Sequence, residues 1–232
     1  MSASWILTQS GKQFDLLAPE TDMVVMDDIA HALANICRFA GYTQTHYSVG
    51  QHSVLASYLV PPADALHALL HDAAEAYVGD MVSPLKDLLP GFKAIEARIW
   101  MAIAARFGIA QEMPASIKEA DLVLMATERR DLLPPGPPWP SLEGIQPLPN
   151  QIVPWAPAFT RLAFKRRFRQ LVRFSADNAQ LRQGAAAAGA YPLSALVPYQ
   201  VFPPCKNLTE GAAAIRPGGI QRAKESFAGT LA

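Results

Sequence analysis

The residues of this chain best suited to chemistry lie around His71-Asp72, with Glu75 one helical turn after the histidine, Asp80 beyond it and Lys86 further on. On a helix, positions 71 and 75 share a face and 72 lies about 100° round from 71. Imidazole and carboxylate groups would then border one patch beside an apolar stripe of Leu66, Leu70 and Ala73. Zn, Co, Mn and Fe ions accept such mixed nitrogen and oxygen donors, and two adjacent ligands on a rigid element preset half a coordination shell. Further ligands must come from elsewhere. His52 lies upstream, and Asp121 sits in KEADLVLMA, where an acid interrupts an otherwise apolar helical face. Taken singly, each has an ordinary explanation: a lone histidine on an apolar face is usually a hydrogen-bonded core residue, and a helical aspartate is usually a surface charge. Four together are harder to explain that way.

Other polar and aromatic residues read more plainly. His67 stands one turn before His71, a spacing that could bind metal by itself or support the ligands from behind. His31 beside an apolar stripe and His46 in a polar stretch read as structural or exposed. Phe39 and Tyr42 flank Arg38, so either could pack against a planar ring, although aromatics at helix ends commonly belong to the core. Glu128, two helical turns after Asp121, reads as a solvated or capping charge, and Trp139 and Trp155 as anchors for the segment around them.

Helices must position most of these groups. Residues 4 to 17 read as a short hairpin around Ser10-Gly11, ended by Pro19. From Asp28 the period becomes helical through Ile29, Leu33, Ile36, Cys37 and Ala40, with Asp27 or Asp28 as N-cap and Gly41 as the stop. A second helix is expected over about 48 to 60, and a third from Asp64 to Gly79 carrying Leu66, Leu69, Leu70, Ala73, Ala74 and Tyr77 inward. Residues 92 to 107 and 115 to 133 repeat the pattern, which makes an all-α core. The proline density between 134 and 157 forbids helix and favours an extended surface loop. Near Ala158 helix returns, with Phe164, Phe168, Leu171 and Val172 opposite a basic face of Arg161, Lys165, Arg166, Arg167, Arg169 and Arg173. The expected domain is 1–174. Beyond it, 175–232 reads as an irregular Ala/Gly/Pro-rich tail, with disorder, a short helix or an oligomer contact as its readings.

Composition narrows the classes. Half of the 232 residues are apolar and 17% are charged, enough to bury a core. Formal net charge is zero, so the field typical of nucleic-acid binders is missing and any anion site must be local. Cys37 and Cys205 alone make no disulfide framework, which fits a reducing cytoplasm. No stretch approaches the roughly 18 apolar residues of a membrane span, and no export signal opens the chain.

The order His52, His71-Asp72, Asp121 over successive helices resembles the HD-domain metal-dependent phosphohydrolases. More specifically, WILTQSGKQFDLLAPE, DDIAHALANICRFAGYTQTHYSVGQHSVL and LLHDAAEAYVGDMVSPLK look like the phage-associated, nucleotidase-like HD proteins that include dATP triphosphohydrolases. The similarity runs from about residue 4 to 133 and more weakly to 174. It implies an HD-domain helical bundle with His52, His71, Asp72 and Asp121 as ligands of one divalent ion, Zn or Co first, with Mn or Mg as alternatives. Glu75 and Asp80 would flank the reacting water and phosphate, Arg38 would contact phosphates or sugar, and Lys86 would bind phosphate; the place of Phe39 beside Arg38, apart from the resemblance, makes it a further expected substrate contact.

The implied reaction is hydrolysis of deoxynucleotides, dATP above all and dADP and dAMP with it, to deoxyadenosine plus triphosphate or phosphate. Such activity would deplete the dATP pool in the cytoplasm, the host cytoplasm if the gene is a phage's. The resemblance also implies a homo-oligomer with a small-molecule partner, no nucleic acid and no membrane. Two alternatives stay open: a 5′-deoxynucleoside monophosphatase of broader base range, and a nucleotide-binding regulator without catalysis. A cyclic-dinucleotide phosphodiesterase is disfavoured, because the GYP-containing extension of that branch is absent.

Overall fold

The structure, a computed structural model, describes residues 4–188, with side chains through 174. It is mainly helical, with one small antiparallel sheet at the N-terminus. Strands β1 (Trp5–Leu7) and β2 (Gln13–Asp15) pair with Ile6 opposite Phe14. Gly11 takes a φ of 81° in the turn, a conformation glycine adopts without penalty. Phe14 is fully buried and stacks on Tyr77 with ring centroids 3.7 Å apart. The turn is tied down by Asp28, whose carboxylate accepts from the Ser10 backbone N–H at 2.8 Å and the Ser10 hydroxyl at 2.7 Å.

Helix α1 (Met26–Asn35) differs from its expected form at both ends. Its N-cap is Val25 rather than Asp27 or Asp28, and both acids instead lie in the first turn, where negative charge complements the exposed amide groups. The helix stops at Asn35, so Ile36, Cys37 and Ala40 lie outside it. The reason is a competing set of backbone bonds: Arg38 N–H donates to Tyr47 at 2.9 Å, Val49 N–H donates to Ile36 at 3.0 Å, and Cys37 bridges Ser48. His46 Nε2 also meets the Ala34 carbonyl at 3.1 Å, taking up one of the acceptors that a helix end leaves open. Arg38 therefore sits on a short extended pairing, followed by Phe39 and Ala40 at φ of 55° and 51°.

Helix α2 (Val49–Leu59) starts where Ser48 Oγ accepts the Gln51 N–H at 3.2 Å. Every residue from Val49 to Ser57 is buried, which makes α2 the central helix. At Gly50 a Cβ would meet Thr160 Cγ2 at 3.0 Å and the α1 backbone at 3.1 Å and 3.2 Å, so glycine permits this close approach.

The single helix expected from Asp64 to Gly79 is two: α3 (Ala65–Leu70) and α4 (Glu75–Val78). Between them the backbone tightens. Ala73 N–H bonds Leu70, Glu75 bonds Asp72 and Tyr77 bonds Ala74, at 2.8, 3.0 and 3.0 Å, each three residues back rather than four. His71 and Asp72 fall inside this tightened turn. Helix α5 (Ser83–Leu88), which the periodicity did not predict, precedes α6 (Pro90–Phe107), and Gly108 closes α6 in the left-handed conformation. Helix α7 (Ala115–Leu132) follows.

The proline segment is irregular apart from a 3₁₀ turn at Pro140–Leu142. Having few N–H donors, it is held largely through its carbonyls, with Arg130 Nη1 on Leu148 O at 2.7 Å and Arg129 Nη2 on Gly136 O at 2.9 Å. Helix α8 (Pro157–Ala188) buries Phe164 and Leu171. Its basic residues are not uniformly solvated: Arg167 donates to the Ser57 hydroxyl at 2.9 Å and lies 3.8 Å from the Tyr58 ring, and Lys165 pairs with Asp27 at 2.8 Å. The backbone of 175–188 continues α8, and the rest of the expected tail, 189–232, lies outside the described residues. Among the described residues no helix is long and apolar enough to cross a membrane.

Candidate metal centre

Three parts of the chain deliver four donor side chains to one point. His52 comes from the middle of α2 and is fully buried; His71 and Asp72 come from the tightened turn between α3 and α4; Asp121 comes from α7. His52 Nε2 lies 3.4 Å from His71 Nε2, 3.7 Å from Asp72 Oδ2 and 3.1 Å from Asp121 Oδ1, and His71 Nε2 lies 3.2 Å from Asp72 Oδ2. His52, His71 and Asp72 each offer an atom within 4.8 Å of the others and could hold a metal ion. Asp121 joins through its contact with His52.

The far side of each imidazole makes the fit chemical as well as geometric. His52 Nδ1 lies 2.7 Å from Glu128 Oε1, and His71 Nδ1 lies 2.7 Å from the Ala68 carbonyl oxygen. Both partners are acceptors, so in the neutral ring each Nδ1 carries the proton and each Nε2 turns a lone pair toward the shared point. Two lone pairs beside two carboxylates form an acceptor-only pocket, which a cation would satisfy. Without an ion, burial and the nearby Arg38 charge oppose protonation of His52, but Glu128 and Asp121 outweigh them and push its pKa up to about 10. A proton on His52 then supplies part of the positive charge that the pocket requires.

Arg38 supplies more. Its guanidinium is buried, 3.5 Å from Asp72, 4.0 Å from Asp121 and 3.2 Å from Glu128, and these carboxylates keep it charged in spite of burial. Asp72 is partly buried, yet His71, His52 and Arg38 hold its carboxyl far below the ordinary range. Sequence reasoning missed Glu128, taking it for a solvated or capping charge. It is fully buried, accepting from His52 and, at 2.8 Å, from the Tyr47 hydroxyl. Its place two helical turns after Asp121, on the same face of α7, was the available signal.

A cavity of about 480 Å³ opens from His71, Asp72 and Glu75 and continues along α6 past Lys86, Glu96 and Ala97 to Trp100 and Met113. Burial, then repulsion from Asp72 and Asp80, pushes the Glu75 carboxyl up to about 9, leaving it protonated near neutral pH. Lys86 bridges Glu75 at 3.3 Å and Glu96 at 2.8 Å, a partnership with Glu96 that the sequence did not announce. Asp80 lies just past α4, and burial raises its pKa as well. Phe39 sits beside Arg38 with its ring 6.1 Å from that of Trp139, and it is not among the residues lining this cavity. His67 stacks on Trp100, and His46 bonds the Cys37 thiol at 3.1 Å.

No family model matches the sequence. It is 46% identical over 170 residues to YfdR, an uncharacterized protein of Escherichia coli K12, an alignment spanning 72% of this chain and 96% of that protein. It is also 38% identical over 130 residues to an uncharacterized protein of Rhodobacter capsulatus, covering 52% of this chain and 66% of that one. The high identity over nearly the whole of the Escherichia coli protein shows that this chain belongs to the YfdR family.

Proposed function

We propose that this protein is a metal-dependent phosphohydrolase of the HD type that cleaves deoxynucleotides, dATP foremost, to deoxyadenosine and triphosphate. The observation that carries the reading is the convergence of two imidazole Nε2 atoms, Asp72 and Asp121, with His71 and Asp72 lining a cavity that also holds Glu75 and Lys86. His52, His71, Asp72 and Asp121 would hold the ion, Zn or Co by the donor set. When bound, such an ion supplies Lewis acidity, acidifying a water and neutralising charge on phosphoryl oxygens. The preference for dATP rests on the resemblance of the segments 5–20, 27–55 and 69–86.

The chain's own residues do the rest. Lys86 holds Glu75 through Oε1, and Glu75 Oε2 is buried without a hydrogen-bond partner among the described residues. Glu75, whose carboxyl is pushed above the ordinary range by burial, is the chain's own group to give a proton to the leaving 5′ oxygen as the P–O bond breaks. Asp80 orients the incoming water. Arg38 and Lys86 offset the charge of the phosphates, and Glu128 keeps the His52 ring in the tautomer that presents Nε2.

The test is product analysis with Zn, Co, Mn or Mg against deoxy- and ribonucleoside mono-, di- and triphosphates, alongside the metal content of the purified protein. Selective loss of dATP with release of triphosphate, abolished together with metal binding in Asp72→Ala, is the expected result. Turnover confined to monophosphates would replace the reading with a 5′-deoxynucleotidase. An Asp72→Ala variant with normal turnover would sink the metal mechanism.

A further inference from the structure

We infer that the planar ring of the substrate packs against Trp100 in the wall of this cavity, where Met113 also lines it. The inference rests on the reading of this cavity as the substrate site. Lys93, Glu96, Ala97 and Trp100 share one face of α6 at helical spacing, so this helix forms a wall of the cavity that also holds Glu75 and Lys86. A volume of about 480 Å³ lies in the range of small-molecule sites. The lining also offers both kinds of surface that a nucleotide needs, charged groups in Glu75, Lys86, Lys93 and Glu96 and apolar ones in Ala97, Trp100 and Met113.

Trp100 is already set in position. Its indole Nε1 donates to the Gln111 carbonyl at 2.8 Å, and one face stacks on His67 with centroids 5.4 Å apart at 27°. A ring fixed by one hydrogen bond and one stacked neighbour loses little freedom when a second ring arrives. The small side chains of Ala74 and Ala97 leave space in the cavity wall. Two other aromatics weighed from the sequence do not line this cavity: Phe39 packs near Trp139 and Arg38, and Trp155 meets Phe159 edge-on at 5.2 Å. Stacking also tolerates different bases, because each presents a π-face. Trp100 would thus set a requirement for a planar ring, leaving finer choice among bases to polar contacts.

Binding of deoxyadenosine and of 2-deoxyribose, measured by saturation-transfer and titration NMR on the full-length protein, tests this without metal or turnover. Wild type is expected to bind deoxyadenosine and to bind the sugar far more weakly. Trp100→Ala should weaken deoxyadenosine binding about ten-fold or more, Trp100→Phe should restore most of it, and Met113→Ala should give a smaller loss. Circular dichroism melts of each variant separate lost binding from lost folding, and Met113, being partly exposed, provides a variant with little structural burden. Unchanged binding in both Trp100→Ala and Met113→Ala would overturn the assignment and leave the hydrolase reading standing. Failure of wild type to prefer deoxyadenosine over the bare sugar would also overturn it. Loss of the hydrolase reading alone would show in the nucleotide panel while ring binding persisted.

Discussion

Replacing Glu128 by Ala removes the group that fixes His52, and the structure sets the size of the effect. The carboxylate is fully buried and meets His52 Nδ1 at 2.7 Å, the Tyr47 hydroxyl at 2.8 Å and Arg38 at 3.2 Å. Breaking a buried charged pair by deleting one partner costs about 3–5 kcal/mol. Arg38 keeps Asp72 at 3.5 Å and Asp121 at 4.0 Å, so the lower end, about 3 kcal/mol, is expected. At roughly 2–4 °C per kcal/mol for a domain of this size, Tm should fall by about 6–12 °C.

A second effect separates a ligand-orienting role from a merely structural one. Without its acceptor, His52 is free to move its proton to Nε2, and metal affinity should fall about 10- to 100-fold, or about 1.4–2.8 kcal/mol. Glu128→Gln keeps an oxygen acceptor for Nδ1–H, so it should lose less affinity than Ala and recover most of the Tm. The assay is competition for Zn or Co against a chromophoric chelator, run beside thermal melts for both variants. Unchanged metal affinity in Glu128→Ala, with Tm lowered, would refute the argument that Glu128 acts through His52.

Three other outcomes are expected. Adding Zn or Co to metal-free protein at about 100 times its Kd should stabilise the fold by roughly 2.7 kcal/mol, seen as a rise in Tm that Asp72→Ala abolishes. Gly50→Ala forces a methyl to within 3.0 Å of Thr160 and 3.1 Å of the Leu33 backbone, and should cost about 1–3 kcal/mol by urea denaturation; a neutral result would contradict the close packing of α1, α2 and α8. Asp131 anchors the proline segment through the Ile152 N–H at 2.8 Å. Burial opposes its charge, but Arg130 and that N–H prevail and hold its carboxyl below the usual value. A lowered native pKa means stability that is present above the unfolded carboxyl's value of about 4 and is lost as pH falls through the native one. Asp131→Asn should accordingly flatten the fall in Tm below about pH 4, which melts across an acid series would detect.

Much of the scaffold is legible in the sequence, because side-chain period is a local property. The spacing of Ile29 and Leu33, the helical patterns over about 48 to 60 and 92 to 107 and the hairpin around Gly11 each depend on a few neighbouring residues, and the structure has them. Where the local reading fails, a longer-range bond competes. The helical pattern through Ile36 and Cys37 gives way to pairing with Ser48 and Tyr47, and the pattern from Asp64 to Gly79 tightens at His71 to Ala74.

The candidate centre divides along the same line. His52, His71, Asp72 and Asp121 stand out in the sequence because polar groups on apolar helical faces need partners, and the structure brings all four together. Glu128, Glu96 and Trp100 do not stand out, since a helical acid or tryptophan looks alike in sequence whether it faces water or a buried imidazole. The sequence by itself determined which residue types were available for the site and which helices would carry them. Tertiary structure alone decided which faces meet, and with them that Glu128 lies behind His52 and Trp100 lines the cavity, because those contacts depend on how helices distant in the chain cross.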